Sequence, residues 1–142
     1  MVQPVEGLVG ETFRMPIEEG KVLEFIESLG LSSWTSPFVP PTFLISAFFW
    51  ERRMAGADVK EAVAFDPARS VHAEQCFEFF GAPPRIGQTL SVQNRVDRIY
   101  TKTNRRGAEL TFVDIVTDYR DETGDRVATS TLRAIELPKD TP

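Results

Sequence analysis

The spacing of apolar residues changes along this chain from helical intervals to strict alternation. "ETFRMPI" near the start reads as a short strand. In "IEEGKVLEFIESLG" the apolar positions Val22, Phe25/Ile26 and Leu29 recur at helical spacing. Glu18 and Glu19 sit in the first turn, where carboxylates suit the helix dipole, and Gly30 is placed to stop the helix. "LSSWTSPFVP" then reads as a proline-punctuated loop.

After it comes an uncharged run, "PPTFLISAFFW". Proline is tolerated in a first helical turn, so a helix is expected from Pro41 to Ala55, with Gly56 as its stop. Phe43, Leu44, Ile45, Ala47, Phe48, Phe49 and Trp50 would then lie on every side of it, which predicts a buried helix. The run is far too short to cross a bilayer, which takes ~20 apolar residues. Arg52 and Arg53 complement the dipole in the last turn and mark where the helix emerges.

From Ser70 onward the period is two. "SVHAEQCFEFF" places Val71, Ala73, Gln75, Phe77 and Phe79 on one face, and His72, Glu74 and Cys76 on the other. "TLSVQNRVDRIYT" groups Leu90, Val92, Val96 and Tyr100. "AELTFVDIVTDYR" is rich in β-formers on both faces, and "DRVATSTLRAIEL" alternates Val127, Thr129, Thr131 and Ile135. The turn signals "GAPPRIGQ", "TKTNRRGA" and "RDETGD" separate them, so an antiparallel meander is expected. A helix apolar on all sides needs a surface that curves round it, and a long twisted sheet supplies one. The expected class is α+β, a long antiparallel sheet wrapped around a buried helix.

Composition adds boundaries. The 142 residues suit one domain, 1–142, able to bury a core, and the 42% apolar content with eleven Phe excludes disorder. A net charge of −5 gives no reason to expect nucleic acid. A single cysteine, Cys76, makes no internal disulfide, and "MVQPVEGLVGETFRM" lacks the basic and apolar regions of a secretory signal. A cytoplasmic chain with no membrane segment is expected. No Walker loop, dinucleotide fingerprint or metal-ligand cluster is present in the sequence.

"PPTFLISAFFW", "SVHAEQCFEF", "PPRIGQTLSVQNRV" and "KTNRRGAELTFVDIVTDYRDETGDRVATSTLRAIE", in that order and spacing, resemble the N-terminal-half type of MaoC-like dehydratases. These are hot-dog proteins related to R-specific enoyl-CoA hydratases. The resemblance covers nearly the whole chain and is clearest from Val71 to Glu136. It implies a hot-dog fold. Catalytic members carry an Asp and, five residues later, a His just ahead of the buried helix. Here that place reads "LGLSSWTSPFVPP", which holds neither. The resemblance therefore implies a non-catalytic, acyl-CoA-binding subunit of a hetero-oligomeric enoyl-CoA hydratase or 3-hydroxyacyl dehydratase. A catalytic hot-dog partner would supply the Asp-His pair. Coenzyme A would enter as part of the substrate, with no separate cofactor and no metal.

Several residues are candidates for chemistry. His72 and Glu74, two apart, would share a strand face as an acid/base pair, against the plainer reading of solvated edge residues. His72 and Cys76 would stand roughly 13 Å apart, too far for proton transfer, so Cys76 reads as a small buried apolar residue. Glu51 reads as the solvated end of the apolar helix. Arg98, Lys102, Arg105 and Arg106 form a basic cluster at a hairpin tip. Arg105 and Arg106 are the candidates for coenzyme A phosphates, against a plain charged turn. Phe38 and Phe43 are candidates for the acyl wall, and the amides near Thr42 and Phe43 for a thioester oxygen. The alternatives are a homo-oligomeric hot-dog acyl-CoA thioesterase acting through Glu51 or Glu74, or an acyl-CoA-binding module without chemistry.

Overall fold

The computed structural model describes residues 5–54 and 58–139. The expected Ala55 and Gly56 end of the apolar helix lies outside them. A short strand, β1 (Phe13–Pro16), leads into α1 (Glu19–Ser28). A 3₁₀ helix (Pro41–Ser46) runs directly into α2 (Ala47–Met54), and a short α3 (Val59–Val63) follows. Four long strands complete the chain: β2 (Ser70–Phe79), β3 (Thr89–Thr103), β4 (Glu109–Arg120) and β5 (Arg126–Glu136).

The strands form one five-stranded sheet in the order β1-β3-β4-β5-β2, with antiparallel neighbours throughout. The expected meander holds for β3-β4-β5 only. β2 crosses to the far edge and pairs with β5, while β1 takes the place beside β3, with Phe13 opposite Val92. Pairing between neighbours in sequence is a tendency, and here two longer connections override it.

α1 forms as its spacing predicts. Val22 and Ile26 are buried, Leu29 caps the helix, and Gly30 turns the chain at φ +77°, a conformation other residues adopt only with strain. The main core lies between β1, α1, the 3₁₀ helix and the sheet, with Met15, Val22, Leu44, Leu90, Val92 and Tyr119 at its centre. A second cluster of Val59, Val96, Val113 and Ile115 seals α3 against the sheet.

Two expectations about the apolar run need correction. It is one continuous segment, but its first turns are 3₁₀. Nor is it enclosed on all sides. Leu44 is 0% exposed, whereas Ile45, Phe48 and Phe49 keep 39%, 37% and 53% of their surface open. The sheet covers one face of the helix and leaves an apolar, aromatic face uncovered.

Strict alternation also fails at two places. In β2 the register shifts between His72 and Glu74, leaving Ala73 as the extra residue of a bulge. In β3 it shifts between Val96 and Arg98, with Asp97 as the extra residue. Each bulge flips every later side chain to the other face. Tyr100 therefore leaves the face of Leu90, Val92 and Val96, and stacks on Phe112 on the convex side, ring centroids 5.0 Å apart.

Candidate functional site: a polar-floored cavity beneath the helix

The concave face of the sheet is mostly apolar, but three inward positions on β3, β4 and β5 break the pattern. Asn94 sits between Val92 and Val96 on β3, Thr117 between Ile115 and Tyr119 on β4, and Ser130 between Ala128 and Leu132 on β5. Glu51 descends from α2 to meet them. Together they line a cavity of about 190 Å³ between α2 and the sheet. Ile45 and Phe48 of the helix and His72 and Gln75 of β2 also line it.

The polar groups hold one another in order. Thr117 Oγ1 donates to Asn94 Oδ1 at 2.6 Å. That fixes the amide so that Asn94 Nδ2 donates to Glu51 Oε1 at 2.7 Å. The Lys60 ammonium stands 3.7 Å from Glu51 Oε2, an ion pair rather than a close hydrogen bond. Tyr119 donates its hydroxyl to the Leu44 carbonyl at 2.9 Å, and Ser130 Oγ lies 3.4 Å from the same hydroxyl.

These surroundings shift two acids. Burial pushes the Glu51 carboxyl above its ordinary value. The Lys60 ammonium opposes this, and the neighbouring Asp58 carboxylate adds to it. Burial likewise pushes the Tyr119 phenol up to about 12. Glu51 is only 5% exposed, so its reading as a solvated helix end is corrected. Chemically, a buried carboxyl with a raised pKa, positioned by an amide, can accept or release a proton, or hydrogen-bond a neutral ligand.

The bulge in β2 separates the expected His72–Glu74 pair. His72 lies opposite Ala134 and lines the cavity mouth. Glu74 lies opposite Arg133 on the convex face, where it accepts a 2.7 Å hydrogen bond from that guanidinium. The two cannot act as one acid/base pair. Cys76 is exposed, not buried, and its thiol hydrogen-bonds Glu74, which pushes its pKa up and away from reactive thiolate.

The remaining candidates are scattered. Phe38 packs beneath the Arg85 guanidinium, away from the cavity. Phe43 is core, edge-to-face with Phe25, and forms part of a second, aromatic groove between α1 and α2 with Lys21, Phe49 and Trp50. Thr42 is exposed, and the Phe43 amide is already bonded to the Pro40 carbonyl, so it is not free for a thioester oxygen. Arg105 and Arg106 are exposed at the β3–β4 tip, where Asn104 Oδ1 shapes the turn by accepting from the Arg106 and Ala108 amides. Arg98 belongs to the convex face: with Arg133 it clamps the buried Asp114, which holds that carboxyl below its ordinary value. Among the described residues no group of His, Cys, Asp and Glu side chains is placed to hold a metal ion. No helix there is long and apolar enough to cross a membrane.

Sequence reasoning missed Asn94, Thr117, Ser130 and Tyr119. The signal was present: three polar residues occupy the inward phase of three successive strands.

A helix laid on the concave face of an antiparallel sheet in this strand order defines a hot-dog protein. The chain belongs to the FAS1-like dehydratase domain region family, whose model matches residues 6–130. No curated relative matches its sequence. Among solved structures it is similar to the ChsH1-ChsH2 complex from Mycobacterium tuberculosis, at 13% identity and TM-score 0.68, over 94% of this chain and 87% of that one. It is similar to HadBC, a 3R-hydroxyacyl-ACP dehydratase complex from the same organism, at 14% identity and TM-score 0.66, over 95% and 99%. It is also similar to a MaoC-like dehydratase at 19% identity and TM-score 0.66, covering 96% of this chain but 44% of that one. A thioesterase superfamily member from Thermus thermophilus shares the fold at 17% identity and TM-score 0.57, over 96% and 87%.

Proposed function

We propose that this chain is the non-catalytic, acyl-CoA-binding half of a heteromeric enoyl-CoA hydratase or 3-hydroxyacyl dehydratase. The reaction would add water across the 2,3-double bond of an acyl thioester, hydroxyl to C3 and proton to C2. The observation that carries this reading is the segment Leu29–Pro41, which leads to the apolar helix and contains no Asp, Glu, Asn or His. That segment therefore offers neither the base nor the proton donor that hydration of an alkene needs.

The surface favours a partner. β2 is a ten-residue strand paired only on its β5 side among the described residues. A long free edge is a template for another strand. The uncovered Ile45, Phe48 and Phe49 add an apolar patch that a second hot-dog unit would bury. That two similar structures are complexes of unlike chains is in keeping with this.

The test is co-expression with a hot-dog chain that carries the Asp-His pair. The purified chain alone is expected to hydrate no enoyl-CoA, and the complex to do so. Robust turnover by the chain alone, lost on His72→Ala, would return the chemistry to this subunit.

One observation favours a second reading. Glu51 is a buried carboxyl with a raised pKa in a cavity, the setting of a general base. A homo-oligomer could use it to draw a proton from water as that water attacks a thioester carbonyl and the thiol departs. Release of free coenzyme A thiol by the chain alone, abolished by Glu51→Gln, would select this reading over the first.

A further inference from the structure

The cavity under α2 sets apolar walls, including Phe13, Ile115 and Leu132, over a polar floor. Its rim is apolar, at Ile45 and Phe48, and open to solvent beside His72. Its floor is not. Glu51, Asn94 and Ser130 are each 5% exposed and converge there with Thr117. Among the described residues Glu51 Oε2 has the Lys60 ammonium at 3.7 Å, with the Asp58 carboxylate beside it, and Ser130 Oγ has the 3.4 Å approach of Tyr119. Both side chains line the cavity, and the hydroxyl of Ser130 keeps hydrogen-bonding capacity that this long approach does not use.

A space of about 190 Å³ over such a floor holds several water molecules, since each takes ~30 Å³ of liquid volume. A bare methylene chain entering it would displace those waters and return none of their hydrogen bonds. A ligand bearing a hydroxyl or carbonyl oxygen would replace them. Sites that hydrogen-bond a ligand oxygen reject the analogue lacking it far more strongly than apolar pockets reject an extra methylene.

We propose that this cavity is a specificity subsite for an acyl group that carries an oxygen beyond the reacting carbons. Glu51 and Ser130 are the residues that read it, and Asn94 and Thr117 orient Glu51. The inference rests on the acyl-thioester reading above and narrows it to hydroxy- or oxo-substituted acyl chains. An oxygen on C3 belongs to the hydration product itself, so the oxygen in question lies further along the chain.

The test is calorimetric binding of six saturated thioesters, which undergo no hydration, to the full chain and to its complex with the catalytic partner. The probes are hexanoyl-CoA with its 5-oxo and 6-hydroxy counterparts, and octanoyl-CoA with its 7-oxo and 8-hydroxy counterparts. At least one oxygenated member is expected to bind about tenfold or more tighter than the plain chain of equal length. Ser130→Ala and Glu51→Leu, which remove the hydrogen-bonding groups, should each shrink that ratio, weakening the oxygenated members more than the plain acyl-CoA. Binding should also move the NMR signal of the Asn94 side-chain amide, which sits in the floor. Equal affinities within each length, or a tighter plain chain, would overturn the subsite and leave the acyl-CoA reading standing. A preference untouched by both substitutions would mean the oxygen is read elsewhere, and would equally overturn it. If none of the six binds either form, the acyl-CoA reading falls and takes the subsite with it.

Discussion

Asn94 of β3 donates its side-chain amide to the Glu51 carboxylate of α2 at 2.7 Å, a bond from sheet to helix across the cavity. It satisfies one oxygen of a carboxyl that burial disfavours in its charged form. Because the folded-state pKa of Glu51 is raised, the native state binds its proton more tightly than the unfolded chain does. Its contribution to stability is therefore fully present below the ordinary value of 4.5, and is lost as pH rises through the folded value. Glu51→Gln keeps the shape and removes the titration. Melting curves from pH 4 to 8 should show the variant gaining on the parent as pH rises. Parallel curves would mean that Glu51 is solvated.

A second carboxylate should behave in the opposite sense. Arg133 holds Asp114 at 2.7 and 3.0 Å, and Arg98 adds a third bond at 2.8 Å. Asp114 is buried and its pKa is depressed, first by the Arg133 hydrogen bonds. The stability it supplies is present above its ordinary value of 3.8 and lost as pH falls through the folded value. Asp114→Asn should cost about 2–3 kcal/mol near pH 7, the scale of hydrogen bonds to charged groups. It should also flatten the acid limb of the stability profile. An unchanged acid limb would sink this account.

The helix-on-sheet class was legible because it follows from periodicity and from one uncharged run that needs cover. The bulges were not. Ala73 and Asp97 are extra residues that leave a plausible alternation on either side of them, so His72 with Glu74, and Val96 with Tyr100, looked like same-face sets. Glu51 looked solvated because Arg52 and Arg53 follow it. It is enclosed by contacts distant in sequence, Asn94 from the sheet and Lys60 from α3. Asn94, Thr117 and Ser130 had the right phase on three strands. That they meet required the pairing of β3, β4 and β5, which fixes Asn94 opposite Thr117 and Thr117 opposite Ser130.

The two faces of the apolar helix should respond differently to charge. Leu44 is fully buried, so Leu44→Asp places an unpaired carboxylate in the core and should cost on the order of 3–5 kcal/mol, or leave the protein insoluble. Phe48 is 37% exposed, and Phe48→Asp should cost the isolated chain about 1–2 kcal/mol at most. The larger effect at Phe48 should be on assembly, read as loss of co-purification with the catalytic subunit. If Phe48→Asp destabilises the isolated chain as much as Leu44→Asp does, the outer face is buried in the monomer. If it leaves assembly intact, that face is not where the partner sits.

Arg105 and Arg106 are exposed in the turn after β3, and neither makes an ion pair among the described residues. Arg98 and Lys102 are engaged elsewhere, Arg98 with Asp114 and both with the stacked Tyr100 and Phe112 pair. Guanidinium groups that no carboxylate holds suit the phosphates of coenzyme A, which they can meet in a fork geometry. Replacing both by Ala should then weaken binding of the CoA thioester by the complex. Removing one charge-assisted hydrogen bond to a phosphate costs about 1.5–3 kcal/mol where water is shut out, and less where the pair is exposed. The effect should shrink at high salt, because the Debye length falls from ~10 Å at 0.1 M to ~3 Å at 1 M. It should be larger for the CoA thioester than for a pantetheine thioester that lacks the nucleotide phosphates. Equal weakening of the two would assign the arginines to the partner interface. No change for either would leave the tip as a solvated turn, shaped by Asn104 and by Gly107 at φ +81°.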